Sequence, residues 1–282
     1  MSSRTIPPLV STEWLNENLH DPSLVVIDIR SPSEYEAGHI FRSINIPFAP
    51  VSKWSVIRND LLLELPNVED LFKTIGDAGI DENSKVVIVG KTDNTFALAD
   101  AARVAFTLIY AGVKNVAILN GGINKWIQEK REITREIIET RAKKYVGKIL
   151  SHIVVSKEYV LSRIGRAIII DARDPDVYFG VNIEPFAPVR GHIPTAKNLP
   201  ASWIWKKDGT YRSEDELRSI VSNIIPSTKS EVIIYCGVGG YATAWWYVLH
   251  EILGYENVKV YDGSWQEWIK DPNNPVSVYK WE

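Results

Sequence analysis

The sequence predicts an α/β protein with two tandem domains, each a mostly parallel sheet flanked by helices. Two observations support this prediction. Short apolar runs rich in β-branched residues alternate with longer stretches of helical periodicity, a pattern typical of parallel sheets. The chain also repeats itself, and 282 residues suit two ordinary domains.

The repeat is visible in motifs that keep their spacing in both halves. Gly-His-Ile occurs at 38–40 and at 191–193, and an Asn-x-Pro motif begins seven residues later in each case. Asp-x-Arg occurs at 28–30 and again at 171–173. Three further pairs share one offset of 142 residues: Gly112 and Gly254, Asn120 and Asp262, and Trp126 and Trp268. Two homologous domains are the simplest interpretation.

The elements follow from these patterns, with β-branched runs taken as strands and amphipathic stretches as helices. In the first half we predict strands at 24–27, 86–89 and 116–119 and helices at 68–78 and 96–111. In the second half we predict strands at 167–170, 231–235 and 258–261 and helices at 214–222 and 242–253. Segment 129–148 has seven basic and four acidic residues without apolar periodicity, so we predict domains at 1–133 and 151–282 joined by a charged linker at 134–150.

Composition excludes several classes of function. With 32 basic and 35 acidic residues, the chain has no overall positive charge to attract nucleic acid or an anionic membrane. No uncharged apolar stretch reaches the roughly 20 residues of a membrane helix, and the start of the chain lacks the apolar core of a signal peptide. A single Cys cannot form an internal disulfide, and the five His are far apart, so we expect a cytoplasmic protein without a metal site.

The strongest candidate site lies at the carboxyl end of the strand at 231–235, where the next residue is Cys236. A glycine-rich turn and a helix come next, and the turn consists of Gly237, Val238, Gly239, Gly240 and Tyr241. Ligands bind at the carboxyl ends of parallel strands, and glycines allow successive backbone N–H groups to face one point. We expect this turn and the helix N-terminus to lower the pKa of the thiol, to make Cys236 a nucleophile and to bind the resulting anion.

Other interpretations of this segment are weaker. A buried structural Cys needs no surrounding amides, although free Cys often packs as a small hydrophobic residue. A nucleotide-binding turn would end in Lys-Ser/Thr, which is absent here. A phosphatase of a related fold would need Arg six residues after the Cys, and that position is Ala242. A Cys hydrolase would need a base beside the thiol, for which His192 and His250 are candidates.

Together, these motifs resemble those of the tandem-domain rhodanese family, the thiosulfate and 3-mercaptopyruvate sulfurtransferases, along nearly the whole chain. The resemblance implies an inactive N-terminal domain, where Gly90 takes the position of Cys236, and a catalytic C-terminal domain. It also implies that Cys236 takes a sulfane sulfur from a small-molecule donor as a persulfide and passes it to cyanide or a thiol. The inward amides can hold the persulfide anion without a metal or organic cofactor.

The turn departs from the family pattern where the donor binds. Val238 replaces the Lys of many thiosulfate enzymes and the Ser of mercaptopyruvate enzymes, and Val177 stands where the family has a donor-binding Arg. Arg190 is the nearest candidate to replace that Arg. We expect thiosulfate as the donor because 3-mercaptopyruvate, the alternative, needs further groups for its carboxylate. A non-catalytic module that binds partners or senses redox state is the alternative of another class.

The Asp-x-Arg and Gly-His-Ile motifs invite catalytic roles for Asp171, Arg173 and His192. Both halves carry these motifs, including the half without a nucleophile. We therefore predict that these three residues stabilise the fold.

Overall fold

A computed structural model describes residues 4–49 and 52–282 and confirms two α/β folds with parallel sheets. The chain divides into two compact units. Unit 1 comprises the described residues up to Val56, Leu65–Leu150 and Lys206–Tyr211, and unit 2 comprises Ile57–Glu64, Ser151–Trp205 and Arg212–Glu282. Each unit thus includes a short segment from the other half of the sequence. The domain limits 1–133 and 151–282 remain a proposal. Segments 57–64 and 206–211 do not follow these limits, because each is assigned to the unit formed mainly by the other half of the chain.

Elements from the first half of the chain alternate between strand and helix as predicted. They are β1 (Leu9–Val10), α1 (Thr12–Asn18), β2 (Leu24–Asp28), α2 (Pro32–Ala37), β3 (Ser43–Asn45), β4 (Val56–Arg58), β5 (Leu61–Glu64), α3 (Val68–Asp77), β6 (Lys85–Val89), α4 (Thr95–Tyr110), β7 (Asn115–Leu119) and α5 (Gly122–Gln128). Five strands form the sheet of unit 1 in the order β1-β7-β6-β2-β3, and their pairings are parallel. Strands β4 and β5 form a separate hairpin.

The second half has the same architecture. Its elements are β8 (Val154–Val155), α6 (Lys157–Arg163), β9 (Ile168–Asp171), α7 (Pro175–Phe179), β10 (Lys197–Asn198), α8 (Glu214–Val221), β11 (Val232–Tyr235), α9 (Gly240–Trp246), β12 (Val258–Tyr261) and α10 (Ser264–Trp268). A π-helical stretch, Tyr247–Ile252, continues α9, and two 3-10 turns lie at Ser151–Ile153 and Ala201–Ile204. The parallel sheet has the order β10-β9-β11-β12-β8. Each predicted strand and helix is present, with ends within two residues of the prediction.

Polar side chains fix where several helices begin. The Ser11 side chain accepts a hydrogen bond from the Trp14 amide before α1, and Ser156 does the same before α6, its counterpart in the repeat. Ser213 and Glu216 form a reciprocal capping box at α8. These bonds satisfy amides that have no partner inside the helix.

The charged segment 134–150 contains no helix and lies along unit 1. Thr134 exchanges backbone hydrogen bonds with His39 at 2.8 and 2.9 Å, and the Lys143 amide donates to the Gly76 carbonyl at 2.9 Å. Tyr145 is only 8% exposed. Most of its charged side chains face solvent, while its backbone is anchored to unit 1 by these hydrogen bonds.

The two Asp-x-Arg motifs have the same geometry. In each half the Arg Nη2 donates to the Asp Oδ2 at 2.6 Å, and Nε donates to Oδ1 at 3.0 Å: Arg30 to Asp28, and Arg173 to Asp171. The same Nη2 also donates to the Gly carbonyl of the following Gly-His-Ile motif, at 2.9 and 2.7 Å. Such a buried pair ties the end of the strand to the next loop, which supports a structural role in both halves.

The histidines of the two Gly-His-Ile motifs are also equivalent. His39 stacks on Tyr35 with ring centroids 3.7 Å apart, and His192 stacks on Tyr178 at 3.8 Å. In both, Nδ1–H donates to the carbonyl of that Tyr at 2.8 Å. Burial lowers the pKa of His192, so its imidazole is neutral near pH 7. These contacts account for the conserved spacing between the halves without a catalytic role.

Within residues 4–49 and 52–282, no helix combines the length and the apolar character needed to cross a lipid bilayer.

Candidate active site

Cys236 directly follows β11, the central strand of the sheet in unit 2. Strand β11 lies between β9 and β12, so the thiol stands at the carboxyl edge of the sheet, where the sequence predicted a site. The helix α9 begins four residues later at Gly240. Cys236 is only 2% exposed. The nucleophile candidate is therefore well positioned by the strand and almost completely covered.

Backbone amides of the turn face the thiol. The Gly239 N–H lies 3.0 Å from Sγ, and the backbone amides of Ala242 and Val238 act on the sulfur to lower the pKa of the thiol. Gly239 has φ +95°, a left-handed conformation that side chains with a Cβ rarely adopt. The amide of Gly239 thus contacts the sulfur directly, and a full ring of amides that binds an anion here stays a prediction.

The other predicted residues of the turn have different contacts. The Gly237 carbonyl accepts a hydrogen bond from the Gln266 amide at 3.0 Å, and the Gly240 carbonyl accepts one from the Thr243 hydroxyl at 2.8 Å. Tyr241 lies half-buried in the first turn of α9. Their proposed part in donor binding remains a prediction.

The turn between β12 and α10 holds the Cys236 loop in place. The Cys236 amide donates to the Ser264 hydroxyl at 3.2 Å, and the Trp265 amide donates to the Cys236 carbonyl at 2.9 Å. Ser264 is fully buried and has φ +54°, an uncommon conformation for a residue other than glycine. The Asp-Gly-Ser-Trp motif at 262–265 thus has a structural explanation, because it clamps the backbone on both sides of the thiol.

A hairpin from the N-terminal half, β4–β5, also reaches this region of unit 2. Gln266 bonds the backbone of Leu62 twice, through Oε1 to the amide at 2.9 Å and through Nε2 to the carbonyl at 2.8 Å. A Cβ at Gly240 would lie 3.6 Å from Cδ1 of Leu63. Sequence reasoning missed this hairpin, since no motif links residues that are 204 positions apart.

Glu184 and Phe186 cover the turn at Gly237. A Cβ at Gly237 would lie 2.3 Å from Glu184 Oε2 and 2.7 Å from Phe186 Cε2, so any larger residue would displace these two side chains. Oε2 is buried and has no hydrogen-bond partner among the described residues. Sequence reasoning did not select Glu184, which lies outside the repeated motifs. Its only sequence signal is a carboxylate in the segment between α7 and Gly-His-Ile.

The electrostatics of the thiol differ from the sequence-based expectation. Burial and the charge of Glu184 raise the pKa of Cys236, while the amides of Ala242, Val238 and Gly239 act in the opposite direction. The predicted lowering of this pKa is therefore wrong. Burial also raises the pKa of Glu184 to about 7, although the positive charge of Arg173 opposes this effect. Two acidic groups thus share one poorly solvated site.

The guanidinium of Arg190 bonds to the protein backbone. Its Nη1 donates to the carbonyls of Gly180 and Val181, at 2.7 and 2.5 Å. These bonds hold the loop that follows α7 and use donors that an anion would otherwise take. A role of Arg190 in donor binding stays a prediction with no added support from this geometry.

The structure places the two candidate histidine bases in other contacts. His192 is held by Tyr178, and His250 bonds Glu251 at 2.8 Å and stacks on Trp246 at 4.6 Å. Glu184 is instead the ionisable group whose charge acts on the thiol. In the part of the chain that the structure describes, no group of three or more His, Cys, Asp or Glu side chains is arranged to hold a metal ion.

In unit 1, Gly90 takes the position that Cys236 has in unit 2. The Gly90 carbonyl accepts from the Ile123 amide at 3.0 Å, which reproduces the bond between Cys236 and Trp265. The cavity beside Gly90 has a volume of about 10 Å³, too small for more than one water molecule. A Cβ at Gly209, in segment 206–211, would lie 2.4 Å from Thr92. This half has the same loop architecture with Gly90 in place of the thiol and little free volume beside it.

The fold and this loop define a class of protein, the rhodanese-family sulfurtransferases. The model of the rhodanese-like domain matches residues 11–129 and again residues 156–271, and the chain belongs to this family.

Relatives match along almost the whole chain. The sulfur carrier protein TtuD of Thermus thermophilus is 31% identical over 279 residues, which cover 92% of this chain and 93% of the relative. A putative thiosulfate sulfurtransferase of Mycolicibacterium smegmatis is 31% identical over 278 residues, covering 96% and 97% of the two chains. Among solved structures, YnjE superposes with a TM-score of 0.84 at 25% identity, covering 97% of this chain and 68% of its own.

An anaerobic ergothioneine biosynthesis enzyme of Chlorobium limicola, solved with trimethyl histidine, has the same fold. It superposes with a TM-score of 0.78 at 24% identity and covers 96% of this chain and 70% of its own.

Proposed function

We propose that the protein transfers a sulfane sulfur from thiosulfate to a thiophilic acceptor, cyanide or a thiol, through a persulfide on Cys236. The observation that carries this proposal is the position of the chain's single thiol, with the Gly239 N–H 3.0 Å from its sulfur. Amides in this arrangement stabilise an anionic sulfur better than a neutral thiol. A buried structural Cys would gain nothing from them.

The reaction takes two displacements at sulfur. The Cys236 thiolate attacks the outer sulfur of thiosulfate, the S–S bond of the donor breaks, and sulfite leaves with the bonding electron pair. The persulfide that remains is anionic, and the amides of Val238, Gly239 and Ala242 can bind it. The acceptor then attacks the outer sulfur of the persulfide, the new S–S bond breaks, and the Cys236 thiolate is restored. No cofactor enters either step.

Thiosulfate is the favoured donor for two reasons. Several relatives of 28–31% identity carry the name putative thiosulfate sulfurtransferase. The turn also supplies backbone amides, and its Val238 side chain has no charge or hydroxyl to bind the carboxylate of 3-mercaptopyruvate. One relative is named a sulfur carrier protein, which favours a second candidate function in which the acceptor is a thiol of another protein.

Intact-mass spectrometry tests the proposal directly. We expect the protein to gain the mass of one sulfur after incubation with thiosulfate and to lose it on addition of cyanide. Cys236→Ser should gain none, because Ser is nearly isosteric but a poor nucleophile near neutral pH. A parallel incubation with 3-mercaptopyruvate identifies the donor. If neither donor adds sulfur to the folded protein, the sulfurtransferase proposal fails and a non-catalytic module becomes the better interpretation.

A further inference from the structure

The carboxylate of Glu184 is placed against the Cys236 loop without a structural partner. Its Oε2 is buried, has no hydrogen-bond partner in residues 4–49 and 52–282, and lies where a Cβ of Gly237 would otherwise stand. Leaving a carboxylate oxygen buried and unpaired costs free energy, so such groups in native proteins call for an explanation. A purely structural residue would have been paired or apolar at this position.

The other charged groups that face Glu184 do not neutralise it. Arg173 is the positive charge that acts on Glu184, but its Nε and Nη2 already bond Asp171 and a backbone carbonyl. Asp171 and Asp174 add negative charge. The remaining acidic group in this environment is the Cys236 thiol, whose pKa is raised by burial and further by the Glu184 charge. Carboxylate and thiol therefore share one negative charge at the end of β11.

This shared charge sets a condition on catalysis. At about pH 8 the resting site holds a mostly ionised carboxylate and a neutral thiol, whereas the reaction needs a thiolate and then produces an anionic persulfide. If the thiol proton left the site, two anions would lie together in poorly solvated surroundings, at considerable electrostatic cost. If the proton moved to the carboxylate, the site would keep a single negative charge throughout.

We propose that Glu184 is the proton acceptor for Cys236, taking the thiol proton as the sulfur attacks and holding it while the persulfide lasts. This inference rests on the proposed function. In the first step the S–H electron pair of Cys236 forms the new S–S bond, the proton passes to the Glu184 carboxylate, and sulfite leaves with the electron pair of the broken bond. In the second step the released Cys236 thiolate takes the proton back.

Counting protons tests the proposal. Stoichiometric thiosulfate is added to weakly buffered protein at about pH 8, where a carboxyl group with pKa about 7 is ionised. An indicator dye measures the protons released, and mass spectrometry measures the persulfide formed. The difference in ultraviolet absorbance between the parent and Cys236→Ser gives the thiolate fraction of Cys236 beforehand, because the chain has one Cys.

We expect the parent protein to release close to no proton for each persulfide. Glu184→Gln, which cannot accept the proton, should release one proton for each Cys236 that began as a thiol. Sulfite takes up the same small amount in both proteins, so the difference isolates Glu184. Persulfide formation in Glu184→Gln should also be about a hundredfold slower at a pH where the thiol is protonated, and Glu184→Asp should recover part of this rate.

Controls separate this inference from the proposed function. Glu36→Gln makes the same chemical change at an exposed carboxylate in unit 1 and should behave like the parent. Glu184→Ala replaces Glu184→Gln if circular dichroism shows that the latter is misfolded. If persulfide forms in parent and variant with equal proton release, the role of Glu184 is overturned while the proposed function stands. If the parent forms no persulfide with any donor, the proposed function itself fails.

Discussion

The substitution Gly237→Ala tests whether Glu184 and Phe186 cover the thiol. The added Cβ would lie 2.3 Å from Glu184 Oε2, against an ordinary contact of about 3.4 Å, so the carboxylate must move by about 1.1 Å (3.4 − 2.3). Phe186 Cε2 lies at 2.7 Å and must move by about 0.7 Å (3.4 − 2.7). Gly237 itself is not among the glycines with positive φ, so the backbone adds no strain.

Both displaced groups are the ends of side chains, which lowers the cost of moving them. We therefore expect a loss of about 1 kcal/mol in the free energy of unfolding, at the low end for an overpacked site. That loss corresponds to a decrease in Tm of roughly 3 °C. The larger effect should be on the reactivity of the Cys236 thiol. Displacing Glu184 both exposes the sulfur and moves a negative charge away from it.

Alkylation by iodoacetamide measures this effect. Cys236 is 2% exposed in the parent, and we expect Gly237→Ala to react faster by about threefold or more at pH 7. Gly240→Ala is the matched control for Tm and alkylation, because its Cβ would meet only Leu63 Cδ1, at an ordinary 3.6 Å. If Gly237→Ala alkylates no faster than the parent and the Gly240→Ala control, Glu184 and Phe186 do not shield the sulfur and the reasoning is refuted.

Four further predictions follow from the same site and fold. Gly239→Val should lose most sulfur transfer, measured as thiocyanate formed, because φ +95° strains a β-branched residue and moves the amide that contacts Sγ. In denaturant titrations, the free energy of unfolding of Glu184→Gln should rise relative to that of the parent as the pH increases from about 5 to 8. The reason is that the raised pKa of Glu184 makes the folded parent hold a proton that the unfolded chain has already lost in this range. An equal difference between the two proteins at about pH 5 and pH 8 would contradict this. Arg173→Met and Arg30→Met should each cost about 3–5 kcal/mol of unfolding free energy, because each leaves a buried Asp unpaired; a stable but inactive Arg173→Met would instead indicate catalysis. Val238→Lys should lower the KM for thiosulfate by adding a cation to the turn, and an unchanged KM would place the donor elsewhere.

Local patterns in the sequence determined most of the fold. The run 258–261 alternates the β-branched Val258 and Val260 with other residues and is bounded by turn residues, and β12 occupies it. The paired motifs fixed the repeat, and Asp28 with Arg30 and Asp171 with Arg173 have matching bonds because the same short segment folds the same way twice. The Cys236 turn was equally local, since a strand, three glycines and a helix follow one another along the chain.

Only the tertiary structure decided the chemistry around that turn. Glu184 meets Gly237 from 53 positions away (237 − 184), and Leu62 meets Gln266 from 204 positions away, and neither contact leaves a periodic or spaced signal in the sequence. The pKa of Cys236 was predicted in the wrong direction for the same reason. The amides that lower it lie within six residues of the thiol, whereas the burial and the Glu184 charge that raise it arise from packing between distant segments.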